Sequence, residues 1–60
     1  MIVYEGHGEV IACTKKVEKK VIKEFFTEGG RSLDDYERTE VGEYFSGDSR
    51  FHITHQEVGP

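Results

Sequence analysis

Lys16, Lys19, Lys20 and Lys23 are spaced so that a helix gathers four ammonium groups on one side. Such a stripe suits phosphates or a carboxylate-rich partner surface, because contact with either needs only cations at roughly matching intervals. Residues 14–23 hold five lysines against the single acid Glu18, in a chain whose formal net charge is −4 and whose pI is about 5.2. The acidic whole opposes the basic footprint usual in nucleic-acid binders, so a protein partner is the expected one and nucleic acid the alternative.

Asp34, Asp35, Glu37 and Glu40, followed by Glu43 and Asp48, form a second constellation. Carboxylates spread along a hairpin or an edge strand can present negative charge to a basic groove, as a phosphate backbone does. The same charges keep an exposed β-edge from aggregating. Residues 1–31 carry six basic and five acidic groups, whereas residues 32–60 carry two and seven. The two halves can therefore face different partners, or attract each other within the fold or across a homo-oligomer.

Metal and covalent chemistry have weaker signals. His52 and His55 have half the spacing of a metal site, but an i, i+3 pair on a strand points to opposite faces. With His7 and Cys13 they make no recognisable zinc pattern, leaving a metal-stabilised structural domain as a third reading. Cys13 is the only cysteine and lies in the apolar run Val10-Ile11-Ala12-Cys13, which predicts a buried thiol and a reducing, cytoplasmic setting. No G-x-S-x-G or G-x-G-x-x-G motif occurs, and a chain of 60 residues struggles to enclose a substrate pocket. The expectation is a binding protein and not an enzyme, with no cofactor. It would be a small acidic regulator or inhibitor that docks on a larger partner, or a homo-oligomer that completes its core by association.

The elements that must position these groups follow from apolar spacing. One small domain over 1–60 is expected, with residues 59–60 a frayed tail. No apolar run approaches the length of a membrane span and no signal peptide is visible. Met1-Ile2-Val3-Tyr4 and Glu9-Val10-Ile11-Ala12-Cys13 around Gly6-His7-Gly8 predict a β-hairpin. Its strands do not alternate cleanly, so cover on both faces is expected. Tyr4, Tyr36, Tyr44, Phe45 and Phe51 suit either a base-stacking platform or, more simply, the core of a chain without tryptophan.

Val17, Val21, Ile22, Phe25 and Phe26 draw an apolar arc at helical period, with Thr14 before it and Gly29-Gly30 after it. This predicts a helix over 15–28. The β-prone composition, with lysines early and Glu24 and Glu28 late, leaves a strand over 20–27 as the alternative. Ser32 with Asp35 resembles a small capping box opening one helical turn. Arg38–Phe45 and Arg50–Val58 around Ser46-Gly47-Asp48-Ser49 predict a second hairpin; a helix from Leu33 to Tyr44 is its rival. The resulting fold class is α+β, antiparallel hairpins packed on one helix, with an all-β meander or small barrel as runner-up.

Overall fold

A computed structural model describes residues 1–41 and 53–57. Strands β1 (Ile2–Gly6) and β2 (Glu9–Cys13) form the expected antiparallel hairpin, pairing Gly6 with Glu9 and Ile2 with Cys13. Its two-residue turn places both His7 (φ 51°) and Gly8 (φ 76°) in the left-handed region, the geometry whose twist matches that of the flanking strands.

The helix α1 covers 15–27, so the strand alternative for 20–27 does not form. It changes register along its length, from a 3-10 turn (Lys15–Val17) through an α segment (Glu18–Val21) to a π segment (Ile22–Thr27). The widening has a cause in the apolar spacing. In a regular helix Val17 and Phe26 lie about half a turn apart, at roughly 100° per residue. Val21 and Phe26 are separated by five residues, which is the π repeat. These two are the fully buried side chains of α1, and Val17, Ile22 and Phe25 pack around them. Thr14 takes the N-cap position, but no capping hydrogen bond comes from its side chain. Gly30 (φ 76°) turns the chain after the helix.

One turn of 3-10 helix, Leu33–Asp35, precedes β3 (Glu37–Glu40). Its N-cap Ser32 makes no side-chain capping bond; the turn closes through backbone bonds from Asp35 N–H to Ser32 O and from Tyr36 N–H to Leu33 O. The capping box therefore does not form, and neither does the rival helix running on from Leu33. The last described strand is β4 (His55–Glu57).

The sheet is mixed, in the order β3-β1-β2-β4, with β3 antiparallel to β1 and β4 parallel to β2. This corrects the second hairpin: the described ends of its two arms occupy opposite edges of the sheet. The first hairpin leaves backbone groups unpaired along both flanks, and one strand fills each flank. The turn at 46–49 and the side chains of Glu43, Tyr44, Phe45, Asp48, Phe51 and His52 lie outside the described residues, as does the tail at 59–60.

Both faces of the hairpin are apolar, as the uneven alternation implied. Ile2, Tyr4, Ile11 and Cys13 face α1 with Val21 and Phe26. Val3, Val10 and Ala12 are buried on the other face, with Met1 and Ile53 against them. The α+β class stands, built on one helix and four strands among the described residues.

Candidate protein-interaction surface

Lys16, Lys19, Lys20 and Lys23 are all exposed on α1, away from its apolar side. The stripe is partly engaged. Lys20 Nζ lies 4.0 Å from Glu57 on β4 and Lys23 Nζ 3.9 Å from Glu28, while Lys15 reaches Glu40 on β3 at 3.5 Å. Lys20 thus turns to Glu57 and not to Glu24 one turn ahead. Lys16 and Lys19 have no ion pair among the described residues. The pairs that do form join exposed side chains at long range and contribute little to stability.

Asp34 and Asp35 sit in the 3-10 turn, and Glu37 and Glu40 in β3; all four are exposed. Asp35 lies 3.2 Å from His7 Nε2. Glu40 lies 3.5 Å from Lys15 and 3.7 Å from Arg38. Among the described residues Asp34 and Glu37 have no ion-pair partner, and Glu37 stands directly across from Glu5 on β1. Like charges directly opposite each other disfavour the pairing, so this corner of the sheet is strongly electronegative.

The register fixes which backbone groups of β3 look outward. Met1 and Val41 exchange both hydrogen bonds, at 2.9 and 2.8 Å. Bonded and non-bonded pairs alternate along an antiparallel ladder, so Val3–Thr39 and Glu5–Glu37 are also bonded pairs. Thr39 and Glu37 therefore direct their N–H and C=O groups at β1. Arg38 and Glu40 direct theirs away from the sheet, and no hydrogen bond meets them among the described residues. Among the described residues β3 is an open edge that carries charge.

Two polar networks tie the elements together, one of them reaching β3 itself, and sequence reasoning missed both. In the first, Glu9 accepts two bonds from Arg31, from Nε at 2.8 Å and Nη2 at 2.7 Å, and a third from the Tyr36 hydroxyl. His55 Nε2 stands 3.2 Å from the same carboxylate. Arg31 also lies over the Phe25 ring and donates to the Phe25 carbonyl. In the second, Glu18 accepts from Arg38 Nε at 2.7 Å, from Arg38 Nη2 at 3.1 Å and from the Tyr4 hydroxyl. Each is a glutamate held by a forked guanidinium and a phenol. The first links β2, the chain after α1 and β4; the second links α1, β1 and β3. No local spacing announces either, because the partners meet only after the sheet is assembled.

The networks set a pH window. Hydrogen bonds from Arg31, then from Tyr36, hold the Glu9 carboxyl down at about 2. Arg38 and Tyr4 likewise lower Glu18. Burial, followed by the Glu18 carboxylate, pushes Tyr4 up to about 12, and burial pushes the Cys13 thiol up to about 11. A carboxylate depressed on folding adds stability above its unfolded value, and that stability is lost as pH falls through the folded one. Raised phenols and thiols add stability that is lost as pH rises. Urea midpoints should therefore fall below about pH 4.5 towards pH 2, and again from about pH 9 to 12. Glu9→Gln should lower the midpoint at neutral pH and flatten the acid limb. An acid limb of unchanged depth in that variant would remove Glu9 as its source.

Among the described residues no group of three His, Cys, Asp or Glu side chains is placed to hold a metal ion, and no pocket opens. Cys13 is buried in the core, and His7 pairs with Asp35 in the hairpin turn. The expected partner of His55 in a metal site, His52, lies outside the described residues. No helix is long and apolar enough to cross a membrane among the residues described. Comparison with protein-family models, with curated proteins and with solved structures finds no match to this chain.

Proposed function

We propose that this chain is a small acidic protein-binding module, a regulator or inhibitor that docks on a larger protein through β3 and the turn before it. The observation that carries the reading is the edge of β3, unpaired among the described residues, where outward backbone groups of Arg38 and Glu40 lie beside the exposed carboxylates of Asp34, Asp35, Glu37 and Glu40. An unpaired edge offers main-chain hydrogen bonds to an extended segment, and the carboxylates select a cationic one. The free buried thiol of Cys13 accords with a cytoplasmic, reducing setting.

The test replaces the four acids together, Asp34→Asn, Asp35→Asn, Glu37→Gln and Glu40→Gln. Tagged wild-type and variant proteins are used for capture from native extract at low and moderate salt. A stoichiometric protein partner should be retained by the wild type. The variant should bind it more weakly, with a flatter dependence on salt. Equal affinity for that partner would overturn the reading.

Lys16 and Lys19, exposed and without an ion pair among the described residues, support a second reading as a phosphate-binding face. If it holds, nucleic acid should be recovered at low salt. The variant with Lys16, Lys19, Lys20 and Lys23 all replaced by Gln should then lose it.

A further inference from the structure

We propose that the open edge of β3 pairs with β3 of a second copy, in one antiparallel register centred on Thr39. The inference rests on the reading of β3 as the contact edge and gives that edge a second occupant, another copy of this chain. Among the described residues of β3 only Arg38 and Glu40 present backbone groups outward, so bonded pairs across a two-fold axis must join these residues. Three registers satisfy that condition. One sets Arg38 against Arg38 of the other copy, and one sets Glu40 against Glu40. The third sets Arg38 against Glu40 twice, with Thr39 facing Thr39 on the axis.

Like charges directly opposite disfavour the first two registers, while opposite charges and a threonine pair favour the third. Arg38 and Glu40 lie on the same face of the sheet as Ile2 and Tyr4, their partners on β1, so the opposed charges meet on one side. Arg38 holds Glu18 through Nε and Nη2, with no bond to its Nη1 among the described residues, and the contacts of Glu40 with Lys15 at 3.5 Å and Arg38 at 3.7 Å are longer than hydrogen bonds, so both groups can reach the other copy. The register forms four main-chain bonds and joins two sheets edge to edge. A strand of four residues buries far less than the roughly 1,200–2,000 Å² of a stable interface, so the association is weak.

Sedimentation of the full chain from about 10 μM to 1 mM covers weak association of this kind. The mean mass should rise from 6.9 kDa towards twice that value. Glu40→Pro removes one outward N–H without touching a bond to β1, and should abolish the rise. Side chains of a non-bonded antiparallel pair lie close enough to bridge, so under mild oxidation Thr39→Cys should cross-link to dimer at least tenfold faster than Glu37→Cys, which faces Val41 of the other copy. A chain that stays monomeric to 1 mM, with the two cysteine variants equally slow, overturns the proposal. If that chain still loses its heterologous partner on Glu40→Pro, the binding reading stands alone. If it dimerises through Thr39 while the fourfold carboxylate variant keeps its partner, self-pairing stands and the docking reading falls.

Discussion

Phe26→Ala should lower the urea midpoint far more than truncation of any exposed side chain. Phe26 is 4% exposed and closes the core between sheet and helix. Its ring lies 5.1 Å from that of Tyr4 and 5.1 Å from that of Tyr36, the latter edge-on at 89°. Truncating such a phenylalanine costs about 3–5 kcal/mol, from lost burial and the cavity left behind. A chain of this length has a total stability of about 3–9 kcal/mol, so the loss consumes a third of it at best and all of it at worst.

The loss also spreads through the polar networks. Tyr4 and Tyr36 each donate a hydroxyl to one of the two glutamates, and Phe26 packs against both rings. A cavity at Phe26 loosens both phenols at once. Leu33, 43% exposed, is the control: Leu33→Ala should change the urea midpoint little, within about 0.5 kcal/mol. Comparable midpoints for the two variants would show that the core does not run through Phe26.

The parts of the fold that were legible are those in which a short stretch states its own structure. Gly6-His7-Gly8 between two β-branched runs specified the first hairpin. The helix was legible from Val17 to Phe26, and its π register lies in the same residues, since Val17–Ile22 and Val21–Phe26 are both five apart. A reading at a strict period of 3.6 finds the arc but not its register. Burial of Cys13 followed from its apolar neighbours.

The second hairpin failed for an opposite reason. Ser46-Gly47-Asp48-Ser49 is a local turn signal, whereas strand order is settled by which flank of the first hairpin needs a partner. Met1, Val3 and Glu5 offer backbone bonds on one side and Val10 and Ala12 on the other. Glu37–Glu40 takes the first side and His55–Glu57 the second. That competition is non-local and leaves no trace in spacing.

The candidate surface divides the same way. Exposure of the lysines and of Asp34, Asp35, Glu37 and Glu40 was readable from polarity. Lys20 lies beside Glu57 on β4, a partner that helical spacing does not name. The outward aim of Arg38 and Glu40 depends on a ladder whose parity is set by Met1 and Val41, forty residues apart. Arg31 and Arg38 looked like ordinary surface charges. Each forks onto a glutamate more than a dozen residues away, and Glu37 on β3 is left without an ion pair among the described residues.

Gly6→Ala should detach β3 while sparing the hairpin itself. A Cβ at Gly6 would stand 2.4 Å from the Asp35 carbonyl oxygen and 3.1 Å from two atoms of the Tyr36 ring. The obstacle is backbone, so no rotamer change relieves it. Either β1 or the segment 35–36 must move. β1 is held in the centre of the sheet by partners on both sides, so the segment entering β3 is the one that gives way. Overpacking of this kind costs about 1–3 kcal/mol, a large share of the stability of so small a chain. Displacing Tyr36 also removes its hydroxyl from Glu9, and that carboxylate loses one of the bonds that keep it ionised. Hydrogen exchange should therefore show the amides of Thr39 and Glu37, which bond to β1, losing protection well before those of Tyr4 and Ile11 between β1 and β2. The acid limb of unfolding should shift to higher pH in the same variant. Protection lost evenly across all four amides would mean that the sheet opens as one unit, and that β3 is not held separately by its approach to Gly6.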